Sequence, residues 1–587
     1  MNEQINNNIT AYTPVIFFIL TAGYFIWLGE YVLFFQEQEA LFLYSGEYLK
    51  EFLARPGGAA EYAGLFLTQF YYHPAMGAII LAAVLTLAAF LLLSTGKRIG
   101  ADPFFLSVTF IIPSCLLLLM QTHYYHLMVY NLGYLAVLAA FRLTAGKGGK
   151  PVIIPAALLF VLLYYTGGGF AWIFLAMCVI SMAMYSKRKS GYLQTALLIA
   201  TGGLTLYISR YLIFTEPTEI LLTNPLPLVN DTRHRILYYF LTIVVILYPV
   251  AARIEIKKRW GSRFAGHIRS LSAPACVLAA IILVLTLYNP QTAKVIKFQK
   301  LVSDKEWDTV IRLHESSPSR NLIGQFYYNL ALAETNQLSN RLFSGKQDFG
   351  PTSLILPWGD VHLNRGGLFY YSTGLINEAH RWAYESMVIY GYRPQNLILL
   401  AETNLINGNY RIAVKYLSLL KQSFNYRDIA LQYEKLLDNP EDVMAHPRLG
   451  EKSALRPVLT DFFIDTEFPQ RNIPMLLESN PGNIKAFEYK IAWLLLTKEV
   501  EEIVSLIPRM KEMGYTAIPR HVEEAALVYS NFTGSLPDLG GFRISDGTRT
   551  RFGNYISAYN TIVQNPSADR AIIDRFDNTF WYYLHFY

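Results

Sequence analysis

The chain has 587 residues, of which 53% are hydrophobic, 14% aromatic and only 16% charged, a balance too apolar for an ordinary soluble protein of this size. Its net charge of +6 comes largely from basic clusters between apolar runs, which argues for membrane topology and against a nucleic-acid partner. The three cysteines, Cys115, Cys178 and Cys276, all lie in apolar runs and read as small buried hydrophobes rather than a disulfide or metal set.

The composition divides the chain near residue 290. Residues 14–288 are a series of apolar runs, predicting a polytopic bundle of about nine spans near 14–35, 76–95, 103–121, 127–143, 151–166, 170–185, 193–214, 235–252 and 271–288. The fourth to sixth are short, so an interfacial hairpin is the alternative there. If every run crosses, one side receives Lys97, Arg98, Arg142, Lys147, Lys150, Lys187, Arg188, Lys189, Arg253, Lys257, Lys258, Arg259, Arg263 and Arg269. The other receives only Lys50, Arg55, Arg233 and Arg235. The basic side is cytoplasmic, so the N-terminus is expected inside and the chain after Tyr288 outside. Residues 1–13 lack a basic n-region and a small-residue cleavage site, so no cleaved signal is expected.

In chain order, the first polar feature is Glu30 inside the end of the first expected span, followed by Glu37 and Glu39. A carboxylate at that depth is costly and faces a cavity, a partner or water; simple interfacial solvation is the alternative. The loop 36–75 contains an amphipathic stretch (Leu41, Phe42, Tyr44, Tyr48, Leu49, Phe52, Leu53), the break Arg55-Pro56-Gly57-Gly58, and an apolar half-helix over 62–72 ending at His73. It predicts two interfacial helices, either guiding a lipid or packing on the bundle. His123 and His126 share the i, i+3 spacing of one helix face; they are metal ligands if others join them and surface hydrogen-bonding groups otherwise. Thr166-Gly167-Gly168-Gly169 reads as an anion nest or a tight helix hairpin. Arg210 near the outer end of the seventh span, and Arg233 with His234 and Arg235 before the eighth, run against the basic-side trend. They suit a phosphate headgroup, or else snorkel and pair with Glu216, Glu219 or Asp231.

Residues 290–530 read as helix after helix with tetratricopeptide-like spacing, clearest over 396–422 (Leu397, Leu400, Ala401, Leu405, then Gly408, Tyr410, Ala413, Tyr416, Leu417). A second unit covers 372–394, and weaker ones begin near Gln325 and Ile484. Such pairs stack into an α-solenoid, presenting a groove for a periplasmic peptide or protein or simply capping the membrane domain. Trp358, Tyr370, Tyr371, Trp382, Tyr390 and Tyr392 are groove or core. Residues 531–587 form an extension whose aromatic end, Phe580-Trp581-Tyr582-Tyr583-Leu584-His585-Phe586-Tyr587, is expected to dock on the repeats or the membrane.

No Walker loop, His-Glu-x-x-His, Cys-x-x-Cys or Gly-x-Ser-x-Gly occurs, which disfavours ATP-driven transport and zinc proteolysis. The runs Gln36-Glu37-Gln38-Glu39-Ala40-Leu41-Phe42, Arg55-Pro56-Gly57-Gly58, Phe66-Leu67-Thr68-Gln69-Phe70 and Asn480-Pro481-Gly482-Asn483-Ile484-Lys485-Ala486-Phe487-Glu488-Tyr489 resemble an uncharacterised family of Bacteroidota membrane proteins. That resemblance implies a Gram-negative inner membrane with the tail in the periplasm. The plan, though no motif, is also similar to the GT-C class of polyprenyl-linked glycosyltransferases, whose acidic motif is here replaced by Glu30, Glu37 and Glu39. That similarity implies a glycosyltransferase of envelope glycan assembly. Glu30 or Glu37 would be its base or divalent-cation ligand, Arg210 and Arg233 would hold a polyprenyl phosphate, and His73, His123 and His126 would join them in binding substrate. The alternative is a non-catalytic scaffold recruiting periplasmic proteins; a transporter is disfavoured by the absence of a duplicated half.

Overall fold

The computed structural model describes residues 2–146, 150–185, 189–252, 262–459, 463–565, 567 and 569–587. Of the basic loop residues above, Lys147, Lys187, Arg188, Arg253, Lys257, Lys258 and Arg259 lie outside them. The protein is all-helical, with no strand among the described residues beyond an isolated bridge, Ala145 to Pro151. It divides into two compact units. The first is Met1–Asn289 with Gln422–Asn425, and the second is Pro290–Lys421 with Tyr426–Tyr587.

In the first unit, local chemistry sets the helix ends. The helix Pro74–Ile99 starts with proline at its first position, carries Lys97 and Arg98 in its last turn, and stops at Gly100, whose φ of +75° ends it in the left-handed conformation. Its Leu81, Leu85, Ala88, Ala89 and Leu92 are buried, a stripe of helical period.

Four helices of the described residues are long and apolar enough to cross a membrane: Pro74–Ile99, Pro103–Gln121, Gly191–Ile213 and Thr232–Ala251. Counting two bent pairs as one span each raises this to six, not the nine expected. Chain length is the physical reason. Met128–Thr144 has 17 residues and Ile153–Gly167 has 15; at about 1.5 Å per residue these fall short of a ~30 Å core. Phe170–Met184 falls in the same short class.

The first expected span is also interrupted. Tyr12–Trp27 and Glu30–Glu39 meet at 72°, and a side chain on the intervening Gly29 would lie 2.7 Å from both Phe25 and Tyr24. Glu30 is therefore not embedded in a continuing span. It opens the next helix, where a carboxylate favours the positive end of the helix dipole. Residues 46–68 form two helices, Gly46–Leu53, capped by Ser45 Oγ accepting from Tyr48 N–H at 3.1 Å, and Gly58–Thr68, separated by Arg55-Pro56-Gly57.

In the second unit, Leu363–Thr373, Ile376–Tyr390, Pro394–Ile406 and Tyr410–Lys421 pack each on the next. Gly408 (φ +73°) makes the turn before Tyr410, and Ala413 in the helix it opens is fully buried. The aromatic residues divide. Tyr370, Tyr371 and Trp382 are buried, whereas Trp358, Tyr390 and Tyr392 are exposed. The terminal helix Phe580–Phe586 buries Phe580, Trp581 and Tyr583, with Trp581 Nε1–H donating to Glu524 O at 2.8 Å. Beneath it, the fully buried Glu524 carboxylate accepts from His521 Nδ1 (2.9 Å), Arg520 Nε (3.0 Å) and Phe580 N–H (2.8 Å), with Arg551 Nη2 at 3.5 Å.

Candidate functional site

Connecting segments of the first unit that lie far apart in sequence converge on a cavity of about 760 Å³, within the range of small-molecule sites. Its wall is built around a polar latch. Glu61, a lone carboxylate in the otherwise apolar helix Gly58–Thr68, pairs with Arg55 and accepts from Asn224 Nδ2, which also donates to Pro56 O at 3.1 Å. Backbone contacts join the glycine turn 165–169 to these two loops: Gly57 N–H donates to Tyr165 O (3.0 Å) and Gly169 N–H to Asn224 O (2.7 Å). A side chain on Gly168 would lie 2.0 Å from Asn224 O, so only glycine permits this approach. With Gly168 N–H donated to Tyr164 O at 2.9 Å as well, the glycine turn spends these donors on packing and is no open anion nest.

Glu39, Glu216, Tyr124, Tyr125 and Tyr130 add polar groups to the wall, and Leu65, Leu127, Met128 and Leu226 supply apolar ones. Its members Gln36 and Tyr124 also belong to a buried chain of hydrogen bonds whose direction follows by elimination. Gln36 Nε2 faces two carbonyls, Tyr124 O at 3.1 Å and His126 O at 2.9 Å, and carbonyls only accept. Gln36 Oε1 must then accept from Gln121 Nε2 (3.4 Å), Gln121 Oε1 from Asn131 Nδ2 (2.7 Å), and Asn131 Oδ1 from His126 Nε2–H (3.1 Å). A neutral His126 thus offers Nδ1 as acceptor to His234 Nε2–H at 2.9 Å. The chain ends on His234 Nδ1, a buried lone pair with no protein partner among the described residues.

The expected site residues distribute unevenly. Glu30 is half-buried and absent from the cavity wall, and Glu37 is buried with Gln38 Nε2 donating to it at 2.6 Å. His73 is exposed, ahead of Pro74 and edge-on to Tyr72. Arg210 sits in the closing turn Ser209–Ile213 beside Tyr211, and Arg233 is exposed; neither reaches the wall, where the guanidinium is that of Arg55. His123 and His126 occupy a turn rather than a helix face, yet both converge on His234, with ring centroids 5.6 and 5.1 Å away. Both nitrogens of His126 are occupied, and the described residues contain no group of three or more His, Cys, Asp or Glu able to hold a metal ion. Neither nitrogen of His126 is therefore left for a metal ion.

Glu61, Asn224 and Asn131 escaped the sequence reading. Glu61 alone had a visible signal, a single charge in an apolar helix. Asn224 and Asn131 become polar anchors only through contacts with residues distant in sequence.

Burial holds the His126 ring well below the usual histidine range, and its neighbour His234 reinforces this. Because folding favours the neutral ring, its stabilisation is complete above pH of about 6.5 and is lost progressively as the pH falls below that value. The thermal midpoint should drop between pH of about 6.5 and 5, and less steeply in His126→Asn, which cannot titrate. Identical slopes would refute the assignment.

An all-α protein with a cavity in its apolar-helix unit is the class these features define. A family profile matches residues 6–587, and the chain belongs to that family, described as Family of unknown function (DUF6057). No curated protein and no solved structure matches it.

Proposed function

We propose that the protein is a membrane-embedded transferase acting on a polyprenyl-phosphate-linked sugar in a bacterial inner membrane. Its N-terminus is cytoplasmic, and residues 290–530 form a periplasmic tetratricopeptide-like domain closed by the 531–587 extension. The observation that carries this reading is the Arg55–Glu61–Asn224 latch on a cavity of mixed apolar and acidic character. Arg55 is engaged by Glu61. A donor phosphate competes for that guanidinium and, on taking it, leaves Glu61 ionised and held by Asn224. The carboxylate then accepts the proton of an acceptor hydroxyl as its oxygen attacks the anomeric carbon, while the phosphate departs with the bonding electrons. Glu39 and Glu216 lie on the same wall, whereas Glu30 and Glu37 do not, so the base moves to Glu61. No step is routed through a metal.

Glu61→Gln should lower formation of the glycosylated acceptor at least 100-fold at unchanged protein level, and Arg55→Ala should lose a co-purifying polyprenyl phosphate in native mass spectrometry. An unchanged glycan profile in Glu61→Gln sinks the proposal. The scaffold alternative draws on the successive helix pairs of the second unit; a stoichiometric protein partner with no lipid would favour it.

A further inference from the structure

The second unit holds a cavity of about 580 Å³ lined by Trp358, Phe468, Trp493, Arg381 and three prolines, with Thr352, Thr466, Glu467 and Gln470 among its polar groups. Trp358, 42% exposed, and Phe468, 39% exposed with the Arg471 guanidinium 4.2 Å from its ring centroid, share this wall with Trp493, a clustered aromatic surface of the kind that marks a ligand site. Trp358 is also held rigidly. Its ring meets Trp382 edge-on at 4.6 Å and 78°, and the Arg381 guanidinium lies 4.5 Å from its centroid. Trp382 is fixed in turn by Gly366, where a side chain would come within 2.2 Å of the indole. Pro351, Pro357 and Pro469 stiffen the remaining wall. The site is thus preorganised, which lowers the ordering cost of binding.

Charge narrows the ligand class. Arg381 is engaged by Glu378 at 3.3 Å and by the Trp358 ring, and the other charge on the wall is the Glu467 carboxylate. The wall's one cation is already paired and Glu467 adds a negative charge, so an anionic ligand gains less here than an uncharged one. A purely apolar chain would strip water from Thr352, Thr466 and Gln470 without replacing their hydrogen bonds. A ligand with flat C–H faces and a rim of uncharged hydroxyls satisfies both groups of residues. Its weakly positive C–H edges lie against the negative aromatic faces, while its hydroxyls meet the amide and hydroxyl groups. From this we infer that the cavity binds a neutral pyranose glycan. The inference does not rest on the transfer reaction proposed for the first unit.

The test uses the full chain in lauryldimethylamine oxide, since glycoside detergents carry a competing sugar. It is applied to an array of neutral and acidic glycans and, in parallel, to proline-rich peptides. The expected result is binding to a neutral glycan, weakened about tenfold or more by Trp358→Ala and measurably by Gln470→Ala, whose partly exposed site spares the fold. Glu61→Gln should leave that binding intact, so loss of the transferase and loss of this site are read separately. Absence of glycan binding, indifference to both cavity variants, or Trp358-dependent selection of the peptides would overturn the inference.

Discussion

Glu524→Leu is expected to destabilise the second unit by about 3–5 kcal/mol, because it removes the acceptor shared by His521, Arg520, Arg551 and the Phe580 N–H while leaving those donors in place. Both arginines are partly exposed and can turn to water, which favours the lower end of that range; His521 and the Phe580 N–H have no such escape. Burial alone would push the Glu524 carboxyl up, but His521, Arg520 and the Phe580 N–H together hold it below the usual range. Its stabilisation is therefore present above the unfolded carboxylate pKa of about 4.3 and is lost as the pH falls through the lower folded value. Thermal unfolding of the detergent-solubilised chain, with limited proteolysis near the C-terminus, measures the effect. Glu524→Leu should release the terminal helix to protease, and Glu524→Gln, which keeps an acceptor oxygen, should do so less. A wild-type midpoint for Glu524→Leu would show that the cluster contributes nothing.

The second large effect is expected for Gly168→Ala. Gly168 has φ +59° and ψ −127°, a conformation essentially confined to glycine, and the added methyl would meet Asn224 O at 2.0 Å. Strain and overpacking together cost about 3–5 kcal/mol and pry apart two of the loops that wall the cavity. Fluorescence-detected size-exclusion chromatography should show a collapse in folded protein. Gly203→Ala is the control: it lies within the helix Lys189–Ile208 with nothing within 4 Å of the added carbon, so it should be neutral or slightly stabilising. Equal yields for the two variants would remove the loop approach from the account.

Helical periodicity made the helices legible, and the expected span 76–95 falls inside Pro74–Ile99; the residues that set its ends, Pro74 and Gly100, act locally but were not used as signals. The span count was less legible, since apolar composition alone does not fix helix length, and the 15-residue run Ile153–Gly167 is as apolar as a longer one. The bend at Gly29 depended on the rings of Tyr24 and Phe25 filling the space a side chain would need. The candidate site was legible only in part. Glu39 and Arg55 were noticed and do line the cavity, but the partners that give them meaning lie far along the chain: Asn224 reaches Glu61 across 163 residues, and His126 meets His234 across 108. One-dimensional spacing carries no information about such encounters. The i, i+3 pairing of His123 and His126 suggested a helix face, yet their convergence is produced by a turn and a third histidine.

The buried chain from Gln36 to His234 has a sense of travel, set at one end by two carbonyls that cannot donate. Reversing any one amide would oppose acceptor to acceptor at one junction and donor to donor at the next, so its members turn together or not at all. The cavity wall and the bare nitrogen of His234 are therefore two ends of one arrow: a proton taken up at that nitrogen leaves every donor between them in place, because the carbonyls at Gln36 hold the chain to a single sense.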